Sequence, residues 1–155
     1  MNDPQLFQQV RPLLTVFVVV IGACVGSFLN VVVHRLPRGE SLTHPPSSCP
    51  KCGHRIRPWE NIPVLSWLVL RGRCSACRQP ISIRYPLVEA ATALVFFGVW
   101  ERILHLGLHP AAALGYFYFA GALIAVALID IQHLRIPNRI TYPGILIGIV
   151  AAGLM

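Results

Sequence analysis

Residues 12–33 are 22 consecutive positions without one Asp, Glu, Lys or Arg. A helix needs ~20 apolar residues to cross a hydrocarbon core of ~30 Å, so this run predicts a transmembrane helix. The chain as a whole fits that solvent: 155 residues, 55% hydrophobic, 12% charged, with a mean hydropathy of +0.62, a balance outside the range of ordinary water-soluble domains. Residues 110–129 make a second charge-free run. Residues 86–104 make a third, interrupted by Glu89 near its start and by Glu101 and Arg102 near its end. A fourth apolar run, 140–155, has 16 positions and reaches only ~24 Å as a helix, so the chain is expected to end inside a span. A signal peptide is the alternative for the first run, with "IGAC" at 21–24 resembling a lipoprotein cleavage site. Against it, the preceding segment carries Asp3 and only Arg11, and apolar sequence continues well past Cys24.

Charge orients these spans. Residues 35–84 hold nine Lys/Arg and two acids, a surplus of +7, while the rest of the chain has four of each. The positive-inside rule places that loop in the cytoplasm and the N-terminus outside, with Arg135 and Arg139 in a second inside loop. The basic surplus suits an anionic membrane surface, and no nucleic-acid partner is expected.

The loop reads "CPKCGHRIRPWENIPVLSWLVLRGRCSAC", with Cys49 and Cys52 separated by two residues, Cys74 and Cys77 likewise, and 21 residues between the pairs. Two such pairs can place four thiolates tetrahedrally, the turns tightened by Pro50 and Gly53 or flanked by Gly72 and Pro80, as in zinc ribbons. Disulfides are the competing assignment, disfavoured in a reduced compartment. Zn²⁺ is therefore the expected structural metal of Cys49, Cys52, Cys74 and Cys77, and would supply much of the loop's folding energy.

Other features read as structural. "GACVG" (22–26) and "GILIG" (144–148) are expected at close helix approaches, Ser27 and Asn30 at interhelical hydrogen bonds, and Cys24 in the core. His105 and His109 read as solvated. Glu89 follows Pro86, a plausible first helical position, so the simplest expectation puts its carboxylate in the first turn, favouring the helix dipole; lining a pocket is the alternative. Asp130, in "LIAVALIDIQHLRIPN" (123–138), sits at a helix C-terminus, where the dipole disfavours an acid and no Lys or Arg is nearer in sequence than Arg135. An electrostatically poor carboxylate at a membrane edge is a candidate for chemistry.

"GSFLNVVVHRLP" (26–37), the tetracysteine loop with "ENIPVLSWLVLRGRC" (60–74), "ISIRYPLVE" (81–89) and "ALIDIQHLRIPN" (127–138) together resemble the type 4 prepilin leader peptidase/N-methyltransferase family, over nearly the whole chain. The resemblance implies an all-α polytopic protein of the bacterial inner membrane, with about four transmembrane helices. Residues 12–34 would be the first helix, 35–85 a cytoplasmic zinc-ribbon-like domain, and 86–155 helices two to four, the start of a peptidase membrane domain. It implies an intramembrane aspartic endopeptidase that removes the leader of type 4 prepilins or type II secretion pseudopilins and methylates the new N-terminus with S-adenosylmethionine. Asp130 matches the family's first catalytic aspartate. The second lies in a G-x-G-D motif, and none of the six acids here sits in one, so the sequence is expected to be an N-terminal portion partnered by a missing C-terminal half. Two alternatives stand beside this: a non-catalytic membrane zinc-ribbon adaptor, and a homodimeric protease pairing two Asp130.

Overall fold

A computed structural model describes residues 4–134 and 138–153. Its helices in chain order are α1 (Pro4–Arg35), a short α2 (Leu65–Val69), α3 (Arg84–His105), α4 (Ala112–His133) and α5 (Asn138–Gly153). Two 3₁₀ turns, Leu36–Arg38 and Pro58–Asn61, flank the loop between α1 and α2. No strand occurs among the described residues, only two isolated β-bridges.

The valine-rich α1 is a poor helix in water, yet hydrocarbon offers its peptide groups no other hydrogen-bond partners, so helix is the conformation left to it. Two helices are long and apolar enough to cross a membrane, one spanning Gln5–Arg38 and the other Ala112–His133. α3 has the length but carries Arg84, Glu89, Glu101 and Arg102, and α5 has 16 residues. α1 and α3 extend beyond their sequence-based limits at both ends, while α4 starts two residues later than its run and continues through Asp130 to His133.

α1 and α3 pack antiparallel. At one end Arg11 donates to the Glu101 carboxylate at 2.6 Å and the Trp100 indole N–H to Thr15 Oγ1 at 3.0 Å. At the other, Asn30 Nδ2 donates to the Tyr85 carbonyl at 3.2 Å. Between them Gly22 and Gly26 bring the backbones together: a Cβ on Gly22 would lie 2.8 Å from Ala93 Cα, and one on Gly26 2.7 Å from Glu89 Cα. "GACVG" is thus the packing seam it is expected to be. "GILIG" is not: a Cβ on Gly144 would meet nothing nearer than Tyr118 Cε1 at 4.0 Å, and Gly148 faces open space among the described residues.

α4 completes the bundle, antiparallel to α3. Phe117 stacks on Phe96 with ring centroids 4.4 Å apart, and Arg84 donates to Gln132 Oε1 at 2.8 Å. Val18, Phe96, Trp100, Ile103 and Ala113 form one core cluster, and Leu29, Val88 and Ala125 a second, against which Ile140 of α5 packs. Large apolar side chains face outward on every long helix, among them Phe17, Leu94, Phe119 and Ile149, while Asn30 and Thr92 are buried. Cys24 is exposed on that outer surface, not in the core, among other outward apolar side chains of α1.

Candidate functional site

The tetracysteine loop folds as two similar knuckles. In the first, Cys49 N–H donates to the His54 carbonyl and Gly53 N–H to the Cys49 carbonyl, both at 2.9 Å. In the second, Cys74 N–H donates to Gln79 at 2.9 Å and Arg78 N–H to Cys74 at 3.0 Å. An isolated bridge closes each, Ser48 to Arg55 and Arg73 to Pro80. Gly53 has φ +72°, as the turn requires; Arg78 takes the matching place at φ +60°, where a side chain costs roughly 1–2 kcal/mol.

The two knuckles bring Cys49, Cys52, Cys74 and Cys77 together, with all four sulfurs within 4.8 Å of one another and the Cys49 and Cys77 sulfurs 3.8 Å apart. A Zn–S bond of about 2.3 Å in a tetrahedron implies sulfur–sulfur edges of about 3.8 Å, so the four residues fit Zn²⁺ with a small contraction. The thiols already differ. Backbone N–H groups of Lys51 and Cys52 hold Cys49 down at about 6, and those of Cys77 and Ala76 lower Cys74. At Cys52 the His54 amide also lowers, but the Cys77 thiol, burial and the other sulfurs together push it up to about 12. A divalent cation would draw all four to thiolates.

Glu60 joins the knuckles, a role that its position in sequence does not reveal. Its Oε2 accepts from the Arg57 N–H at 2.9 Å and lies 3.2 Å from His54 Nε2. The Arg57 amide first, then the Ser75 hydroxyl and His54, lower its pKa to about 2.

Glu89 departs from the sequence-based expectation. It is buried in the second turn of α3, above Gly26, and its Oε2 accepts the Val64 N–H at 2.7 Å. Val64 adopts φ +62°, ψ −50°, and Leu65 N–H donates to the Pro63 carbonyl at 2.6 Å, making a strained γ-turn at a β-branched residue. The carboxylate therefore ties the loop to the bundle instead of answering the helix dipole. The Gly22/Gly26 pair points to a close neighbour, but only the fold names Glu89 as that neighbour.

Asp130 lies in the last turn of α4, at the bundle end that holds Asn30, Arg84 and the tetracysteine loop. It is exposed, and among the described residues its carboxylate has no hydrogen bond or ion pair. Neighbouring Ile129 and Ala125 face the core, while Leu134 ends the helix at φ +49° with its N–H on the Asp130 carbonyl at 2.8 Å. Arg135, the nearest Lys or Arg in sequence, lies outside the described residues. No bond joins Asp130 to the cysteine cluster among the described residues; they share an end of the fold.

Residues 20–103 match the family described as Bacterial Peptidase A24 N-terminal domain, and residues 117–155 match the Type IV leader peptidase family. The chain belongs to the A24 type IV leader peptidase family. It is 49% identical to a prepilin leader peptidase/N-methyltransferase of Myxococcus xanthus, over 91% of this chain and 41% of that one. It is 43% identical to the protein of the same name from Pseudomonas putida, over 84% and 52%, and 40% identical to that from Dichelobacter nodosus, over 91% and 57%. The chain thus spans about half the length of the curated relatives it matches. No solved structure matches it.

Proposed function

We propose that this chain supplies the zinc domain and one of two catalytic carboxylates of an intramembrane aspartic endopeptidase that removes prepilin or pseudopilin leaders. Support for the membrane placement comes from the outward apolar residues on α1, α3, α4 and α5, with α3 keeping Glu89 and Thr92 inside. The four helices are read as spans in the bacterial inner membrane, with the N-terminus outside and the +7 loop in the cytoplasm.

The observation that carries the catalytic role is Asp130: an exposed, unpartnered carboxylate among the described residues, at the loop end of an apolar helix. There water reaches it, and the scissile bond of a membrane-anchored substrate would lie just outside that substrate's own apolar helix. Aspartic proteolysis needs one carboxylate to take a proton from water and another to protonate or polarise the carbonyl. Asp130 can fill one role only. Glu89 is engaged by Val64 and Glu101 by Arg11, so the second carboxylate is assigned to the family's G-x-G-D helix, outside these 155 residues.

Zn²⁺ bound by the four cysteines would hold the two knuckles together, a structural duty with all four positions taken by sulfur. Methylation of the new N-terminus with S-adenosylmethionine is carried over from the family. One open cavity in the loop, about 510 Å³, is lined by His54, Arg55 and Arg57 without an acid and does not fit a sulfonium cation, so no methyl-transfer step is assigned to it.

The test is reconstitution. The isolated chain should leave prepilin uncleaved, and co-expression of the family's C-terminal helices should restore leader removal. Efficient cleavage by the 155-residue chain alone would reject the split site and favour a two-fold pairing of Asp130.

A further inference from the structure

α2 is pinned at the mouth of the bundle from both sides. Val64, the residue before it, is held by the Glu89 carboxylate inside the second turn of α3. On its own face, Trp67 Nε1 donates to the Ile81 carbonyl at 3.1 Å, and Ile81 N–H to the Gly72 carbonyl at 2.7 Å, three residues before α3 begins. A helix tied to the first turns of a membrane-spanning bundle lies at the depth where those turns leave the bilayer. Yet α2 presents Leu65, Leu68 and Val69 outward, at 60%, 57% and 81% exposure.

Charge adjoins this apolar edge. Arg71, Arg73 and Arg78 line one open cavity of about 390 Å³ together with Val69 and Leu70, and no acid lines it. Arg71 and Arg78 both sit in the left-handed region, at φ +53° and +60°, places that favour glycine. Three guanidiniums beside an exposed apolar edge match a phospholipid, phosphate against arginine and acyl chain against Leu68 and Val69. They would repel a basic leader peptide.

We propose that α2 with Arg71, Arg73 and Arg78 is an interfacial anchor that binds anionic phospholipid, seating the second knuckle on the membrane surface. The anchor rests on α1 and α4 lying in a bilayer, and on nothing about peptide cleavage. With Glu89 it fixes the loop at two points, one in the protein and one in the lipid.

Photo-crosslinking tests this on the zinc-loaded chain in nanodiscs of phosphatidylcholine with phosphatidylglycerol. Benzoylphenylalanine replaces Val69, Lys51 or Phe119 in separate samples, and lipid adducts are read by mass spectrometry. Position 119, on the outer face of α4, should take lipid wherever the membrane reading holds. Position 69 should do the same, with phosphatidylglycerol over-represented at least about fivefold, the effect of ~1 kcal/mol per arginine near an anionic surface. Position 51, on the first knuckle, should take little. Replacing all three arginines with Gln (R71Q/R73Q/R78Q) should bring the lipid ratio at position 69 to the ratio in the disc, with zinc content unchanged. Adducts at 119 but not at 69, or adducts at 69 without anionic preference, would overturn the anchor while leaving the membrane reading intact. Failure at 119 would overturn both.

Discussion

The cysteine cluster and Asp130 occupy the same end of the bundle and could hardly differ more as sites. Four sulfurs converge within 4.8 Å from a segment of 29 residues, each knuckle closed by its own backbone hydrogen bonds. Asp130 stands exposed and unpartnered among the described residues, on a helix held to the bundle by apolar packing and by the Arg84–Gln132 hydrogen bond. The first is a site closed by local sequence. The second, on the function proposed above, would be completed by a carboxylate from another element, and the difference predicts how each fails.

The largest effect should come from breaking the closed site. Elemental analysis of the parent chain should give about one equivalent of zinc, and Cys49→Ser with Cys52→Ser should abolish it. With it should go protease resistance of residues 35–85, since structural zinc contributes roughly 10–16 kcal/mol of apparent binding energy in small domains. Zinc content unaffected by the double substitution would erase the contrast drawn above.

The seam that holds both regions to one scaffold comes next. Gly26→Val drives a Cβ into Glu89 Cα at 2.7 Å, a backbone atom that cannot swing aside, and should cost about 3 kcal/mol, the upper end of overpacking. Gly98→Val, where nothing lies within 4 Å, should leave the thermal midpoint nearly unchanged. Equal midpoints for the two variants would mean that α1 and α3 do not approach as described.

The smallest effect belongs to the opposite end of the bundle. Arg11 and Glu101 pair at 2.6 Å, but their side chains remain 39% and 33% exposed, so solvent screening holds the pair below about 1 kcal/mol. Arg11→Gln should shift the unfolding midpoint slightly and leave zinc content alone. A large shift would place that pair in a drier setting than its exposure indicates.

Legibility in the sequence follows the same division. The CxxC spacing, the Gly22/Gly26 seam and the apolar runs are local patterns; the first two reappear in the fold as expected, and the runs reappear as helices, two of them long and apolar enough to cross a membrane. Glu89 was not legible as a tether, because its partner is a backbone N–H 25 residues earlier, freed by a γ-turn that no sequence rule places at a valine. Glu60 is not legible for a similar reason: its value lies in joining His54 to the second knuckle across the loop. Cys24 reads as buried under the rules of water-soluble cores, but α1 carries apolar residues on its outer face as well, and Cys24 is one of them. Asp130 was legible as an anomaly, an acid at a helix C-terminus, which is a statement about charge and needs no partner to be seen.

The account turns on that acid. With the chain co-expressed with the family's C-terminal helices, leader removal should be measured for Asp130→Asn beside the parent protein, in the same membranes, with zinc content verified as equal. Asn keeps the size and removes the titrating group, so cleavage should fall by several orders of magnitude while zinc stays bound. Cleavage retained within about tenfold of the parent, a loss of only ~1.4 kcal/mol in transition-state stabilisation, would contradict a catalytic role for Asp130.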